Sequence, residues 1–278
     1  MLANRAYVDQ ARSSRLEPAP GAAVRMPRWW TELLIVAGIY AAYDLSRGLP
    51  GSTEPAAMRN GRLILGWERN THVAFEHALN GALHANPVLE VVSSYYYASL
   101  HFVVTIGVLI WMYRAHPGAY RHARIWLALS TVGALVGYWL IPVAPPRLLP
   151  AAQFHDVVSD VHQWGWWSAQ DSAPPGLGHF ANEFAAMPSL HVGWALWSGW
   201  LIARHARRGW VRALGVSYPI MTTLVVTSTG NHYLADALCG ASLVLLVYVV
   251  HPQRWLGTAH RTAASSASGG RGPRPRLL

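Results

Sequence analysis

The 278-residue chain contains no lysine; all 22 of its basic residues are arginine, set against 13 acidic ones. Charge of either sign is scarce, at 13% of residues where a soluble domain carries about 25%. With 52% hydrophobic residues and long uncharged runs, that scarcity excludes an ordinary soluble domain and indicates an integral membrane protein. A single cysteine, Cys239, excludes an internal disulfide framework; within an apolar run it reads as a small packing residue rather than a nucleophile. The first 28 residues lack an early apolar core, so they do not read as a cleaved signal peptide. No internal repeat is present.

A net charge of +9 in a soluble chain would suggest nucleic acid. Here the arginines fall in short clusters between apolar runs, where membrane topology accounts for them, and no nucleic-acid partner is expected. The fold class expected is all-α: a polytopic membrane protein with six transmembrane helices, an amphipathic interfacial helix and an extracytoplasmic loop. The spans run from about Trp29 to Leu45, Val88 to Met112, Ile125 to Val143, Pro188 to Ala203, Val211 to Val226 and Tyr233 to Val250. Glu32 and Asp44 sit near the ends of the first, within reach of water. Residues 1–28 are expected to be a flexible cytoplasmic arm, 29–250 the membrane domain, and 251–278 a disordered basic tail.

Leu63, Ile64, Trp67, Val73, Phe75, Leu79 and Leu83 recur at three- and four-residue steps, with Arg62, Glu68, Arg69, Glu76 and His77 between them. That pattern predicts one amphipathic helix, lying on the bilayer or packed on the spans from outside it. With both termini cytoplasmic, 17 of the 22 arginines fall inside, leaving Arg47, Arg59, Arg62, Arg69 and Arg147 outside. This orientation brings the end of the third span and the starts of the fourth and sixth to one extracytoplasmic face.

That face carries three stretches with chemistry. In Met187-Pro188-Ser189-Leu190-His191, a proline at the first turn suits a helix start, and Ser189 adds a hydroxyl beside the free amides that attract anions there. His191 lies one turn further in, placed to move a proton to or from a bound anion. His232 and Asp236 are four apart, hence on one side of a helix, where the carboxylate can fix the imidazole tautomer and leave the other nitrogen free as a nucleophile. Pro145-Pro146-Arg147 presents, on a stiffened approach, a guanidinium whose fork matches phosphate oxygens. Together these parts describe phosphoryl transfer. Arg147 and the helix-start amides hold phosphate, His232 attacks phosphorus, and His191 protonates the leaving alkoxide.

These residues resemble the three signature motifs of the type 2 phosphatidic acid phosphatase superfamily, and more narrowly its inositolphosphotransferase-like branch, which includes fungal inositol phosphorylceramide synthase. The resemblance covers roughly Gly61 to Val250. It implies a metal-independent phosphohistidine mechanism without cofactors, with His232 as nucleophile, Asp236 as its orienter, His191 as general acid and Arg147 as the first-motif arginine. Two departures follow from this sequence: the broader family's first-motif lysine is absent, and its third-motif arginine falls at Val226. Ser228, Thr229 or Asn231 are the candidates to replace that arm of the phosphate clamp.

The partner expected is a lipid phosphate, with water or an alcohol such as inositol as acceptor. The alternative is a transporter or non-enzymatic membrane protein that binds anionic headgroups in the same pocket. His101 is expected to make a helix contact or border the pocket. The run Tyr95-Tyr96-Tyr97 and the cluster Trp164, Trp166 and Trp167 are expected in an interfacial belt, with a lid or headgroup contact as the sharper reading for the tryptophans. His155, His162 and His179 are expected to be solvated.

Overall fold

The computed structural model describes residues 54–150, 153–168 and 183–250, with positions 28, 30–32, 34, 35, 37, 38 and 41 before them. The expected arm through residue 27, Asp44, His179 and the tail from 251 lie outside the described residues. Those described are all-helical apart from an isolated bridge between Val143 and Ala185.

Seven helices carry the argument: α1 (Glu54–Asn70), α2 (Glu76–His84), α3 (Pro87–Ala115), α4 (Pro117–Leu140), α5 (Leu190–His205), α6 (Gly209–Ser228) and α7 (Leu234–Val250). Among the described residues, α3 and α4 are long and apolar enough to cross a membrane; α7 is apolar but shorter. Helix α4 starts eight residues before the expected third span, with Pro117 in its first turn, where a missing N–H costs nothing. The first expected span is helical where described. Its Glu32 is not merely near water: it accepts from Arg124 Nη1 and from the Tyr120 hydroxyl of α4.

Buried clusters around Val143, Leu149, Ala186 and Tyr233 and around Val192, Val226 and Ala237 underlie the motifs, and a further cluster surrounds Met112, Trp126, Trp197, Leu201 and Val244. Buried indoles there find acceptors, Trp126 donating to Val244 O at 2.8 Å and Trp197 to Ala123 O at 2.9 Å. Outward faces are apolar; Val103 is 64% and Val249 77% exposed, the arrangement that lipid tails tolerate. Cys239, expected as a small packing residue, is on such a face and exposed.

The single amphipathic helix expected over residues 63–83 is two helices, α1 and α2, broken at 71–75. Its polar positions are not all solvated. Glu68 and Glu76 are fully buried, because their carboxylates accept the main-chain N–H groups that open α7. Some members of the aromatic runs also have partners inside the protein. Tyr96 bonds Thr222 of α6 at 2.9 Å, Trp166 donates to Ser99 of α3 at 3.0 Å, and Trp167 is buried, donating to Val158 O at 2.8 Å. The Trp166–Ser99 contact ties the described part of the loop to α3, while Trp164 and Trp166 themselves stay exposed.

Candidate active site

Three main-chain contacts join the motif stretches. Val143 N–H donates to Phe184 O at 2.9 Å, Arg147 N–H to Gly230 O at 2.9 Å, and Ser189 N–H to Asp236 O at 3.0 Å. The last is possible because Gly240 lets α7 lie directly against the start of α5: a Cβ there would meet Ser189 O at 2.2 Å. Gly230, at φ +75°, makes the turn before His232 in a conformation that side chains disfavour. Main chain from far-apart segments is thus brought to one place before any side chain acts.

Helix α5 begins at Leu190, so Pro188 precedes the helix rather than occupying its first turn, and Ser189 is the N-cap. Its hydroxyl accepts from Val192 N–H at a long 3.5 Å. The amides of Leu190 and His191 have no acceptor inside the helix, as in any first turn.

His232 is buried, and its Nδ1–H donates to Ala186 O at 2.9 Å. Asp236 Oδ2 stands 3.4 Å from the same nitrogen while accepting Tyr233 N–H at 3.0 Å. The hydrogen bond that fixes the tautomer therefore goes to a carbonyl that sequence reasoning missed, with Asp236 beside it. Nε2 is left free either way. Burial pushes the His232 imidazole down to about 4; the Arg147 charge pushes the same way and the Ala186 bond opposes it. At neutral pH the ring is uncharged, the form in which nitrogen carries a lone pair to phosphorus.

The ring centroid of His191 lies 5.5 Å from that of His232. His191 is stacked on Tyr97 at 4.4 Å and tilted against His101 at 4.1 Å. His101 donates from Nδ1 to Tyr97 O at 3.0 Å. This placing of His101 at the pocket agrees with one of the two expectations for it. The π-turn Tyr96–Leu100 inside α3 brings Tyr97 and His101 there, a device common at functional sites and without a sequence signature here.

Arg147 is less free than expected. Its Nε donates to Asn231 Oδ1 at 2.9 Å, Nη1 to Asp156 Oδ2 at 2.9 Å, and Nη2 lies 3.7 Å from Glu183. Asn231, read as a phosphate ligand, orients the arginine; its amide nitrogen donates to Thr229 Oγ1 at 3.2 Å. Ser228 and Thr229 donate their hydroxyls to carbonyls of α6, so neither replaces the absent third-motif arginine.

Behind the site stands a set of carboxyls. Glu76 accepts from Leu234 N–H at 2.9 Å and Glu68 from Ala235 N–H at 2.8 Å, which with Asp236 on Tyr233 caps the opening turn of α7. Glu76 also stands close enough to Glu68 to act on its charge. Burial, with repulsion from Glu76 added, pushes the Glu68 carboxyl up to about 8 against the pull of the Ala235 bond. Glu68 therefore keeps its proton at neutral pH. In the sequence both glutamates look like solvated members of an amphipathic face.

Residues 62–250 match the family model described as the PAP2 superfamily. No curated protein and no solved structure matches the chain.

Proposed function

The chain belongs to the PAP2 superfamily, a family of phosphatases and phosphoryl-transfer enzymes, and from that premise we propose that it transfers the phosphate group of a membrane lipid through a phosphohistidine intermediate. The observation that carries the reading is the facing pair His232 and His191, 5.5 Å apart between ring centroids, with Arg147 acting electrostatically on His232. That spacing lets both imidazoles border one bound phosphate group, one reaching phosphorus and the other the leaving oxygen.

In this reading Nε2 of His232 attacks phosphorus, and the bond to the lipid oxygen breaks as His191 gives that oxygen a proton. Water or an alcohol then attacks the phosphohistidine, returning a proton to His191 and freeing His232. Arg147, held by Asn231 and Asp156, and the Leu190 and His191 amides neutralise the phosphoryl oxygens. The missing lysine and third-motif arginine favour the inositolphosphotransferase-like branch. The arginine bias supports six spans in residues 29–250 of a cell-membrane protein, both termini cytoplasmic and the site extracytoplasmic.

The test is to incubate purified protein in detergent with a lipid labelled in its phosphate, with and without myo-inositol. An acid-labile phosphoprotein is expected from the native chain and none from His232→Ala. Turnover retained in His232→Ala would refute the mechanism, and binding without phosphoprotein would mark a headgroup-binding protein instead.

A further inference from the structure

A second cluster of ligating side chains stands beside the phosphate site and takes no part in the chemistry above. His84 closes α2, and His155 and Asp160 lie on the segment that follows Arg147; all three are exposed. Their ligating atoms lie within 4.8 Å of one another. The rings of His84 and His155 are stacked 3.6 Å apart and 12° from parallel. Glu90, buried in the first turn of α3, reaches His84 Nδ1 at 2.7 Å, and Asp160 Oδ2 lies 3.9 Å from the same nitrogen.

Two features separate this cluster from a chance meeting of surface residues. His155 is held in place by its main chain: Asn80, itself buried, accepts from His155 N–H at 2.8 Å and donates to His155 O at 3.0 Å. Negative charge is also in surplus. The nearby arginine, Arg147, is paired to Asp156, which leaves Asp160 and Glu90 facing imidazoles.

We propose that His84, His155 and Asp160 bind one divalent ion of the zinc class, with Glu90 as the carboxylate that supports His84. Two imidazoles and a carboxylate suit zinc, whereas magnesium and calcium prefer oxygen throughout. Metal–ligand bonds of about 2.0–2.2 Å put tetrahedral ligand atoms about 3.4 Å apart, so binding draws the exposed side chains together by up to about 1.4 Å. A bound ion ties the 153–168 segment to the α2–α3 junction and so fixes Asp156, the neighbour of His155, against Arg147.

The experiment uses the full chain in detergent, stripped with chelator, and cobalt(II) as the probe. One equivalent of cobalt is expected to give visible ligand-field bands, bleached by zinc and unaffected by excess magnesium. His155→Ala and Asp160→Asn should each weaken cobalt binding at least about tenfold, and Glu90→Gln about tenfold as a supporting carboxylate. His232→Ala should bind normally. His155 and Asp160 are exposed, so these variants should elute as monodisperse as the native protein. Absence of bands, or bands of equal affinity in His155→Ala and Asp160→Asn, would overturn the site. The readout needs no turnover, so it stands or falls separately from the phosphohistidine mechanism.

Discussion

A single methyl group on Gly240 should disable the enzyme without touching phosphate. The added Cβ would lie 2.2 Å from Ser189 O and 3.0 Å from Ser189 C, where real contacts begin beyond 3.0 Å. Both sides of this contact are main chain, so no side chain can rotate away; the start of α5 and helix α7 must part by about 1 Å. That breaks the Ser189–Asp236 bond and moves His191 relative to His232. Overpacking costs about 1–3 kcal/mol, and alanine returns about 1 kcal/mol of helix propensity over glycine, so Gly240→Ala should fold with a melting temperature only a few degrees lower. A misplacement of about 1 Å in a catalytic constellation costs on the order of 10²-fold in rate. Initial rates of phosphate release, measured beside thermal unfolding, separate the two effects. Gly81→Ala, on α2 with nothing within 4 Å of its added Cβ, is the control and should keep full rate. Gly240→Ala activity within about twofold of native, or a loss matching the loss of folded protein, would refute the argument that this contact sets the geometry.

The buried glutamate pair makes stability depend on pH. Glu68 keeps its proton up to about 8 when folded and releases it near 4.5 when unfolded. Its contribution is therefore complete below pH 4.5 and lost as pH rises to about 8. Glu68→Gln, which supplies the hydrogen permanently, should flatten that slope in melting temperatures measured from pH 5 to 8. Arg147→Lys keeps the charge but cannot hold Asn231 and Asp156 while forking onto phosphate; losing one or two charge-assisted bonds of about 1.5–3 kcal/mol should raise KM about tenfold or more. Asp236→Asn should keep the acceptor for Tyr233 N–H and the fold, and slow phosphoprotein formation. Because Ala186 O already fixes the His232 tautomer, the loss should be about 10–10²-fold, short of the roughly 10⁴-fold seen where the aspartate alone does so; an unchanged rate would remove its orienting role.

The all-helical fold and the motif ends were legible because hydrophobic run length and helix-start residues are local properties of the sequence. The juxtaposition of Arg147, Ser189, His191, His232 and Asp236 was expected from the motifs lying at helix ends, and main-chain contacts between those ends bring them together. What the sequence hid is main chain. Ala186 O on His232, Tyr97 O on His101 and Gly230 O on Arg147 have no side-chain signature, and an alanine carbonyl looks like any other. The glutamates misled for a related reason. At helical spacing among apolar residues a carboxylate looks solvated, and only the open amides of a distant helix show why two of them are buried. Asn231 was assigned to phosphate on position alone, while its oxygen is taken by Arg147.

The π-turn in α3 has a mechanical consequence. Bonding from i to i+5 fits one surplus residue into the turn, and each residue advances an α-helix by about 100°. The two halves of the rod are thus offset in phase, with Glu90 directed at His84 on one half and His101 at His191 on the other. Excising any one of Tyr96, Tyr97, Ala98, Ser99 or Leu100 would unwind that offset and swing one half away from its station. The helix behaves as a keyed shaft, transmitting the orientation of its polar end to the aromatic wall of the pocket.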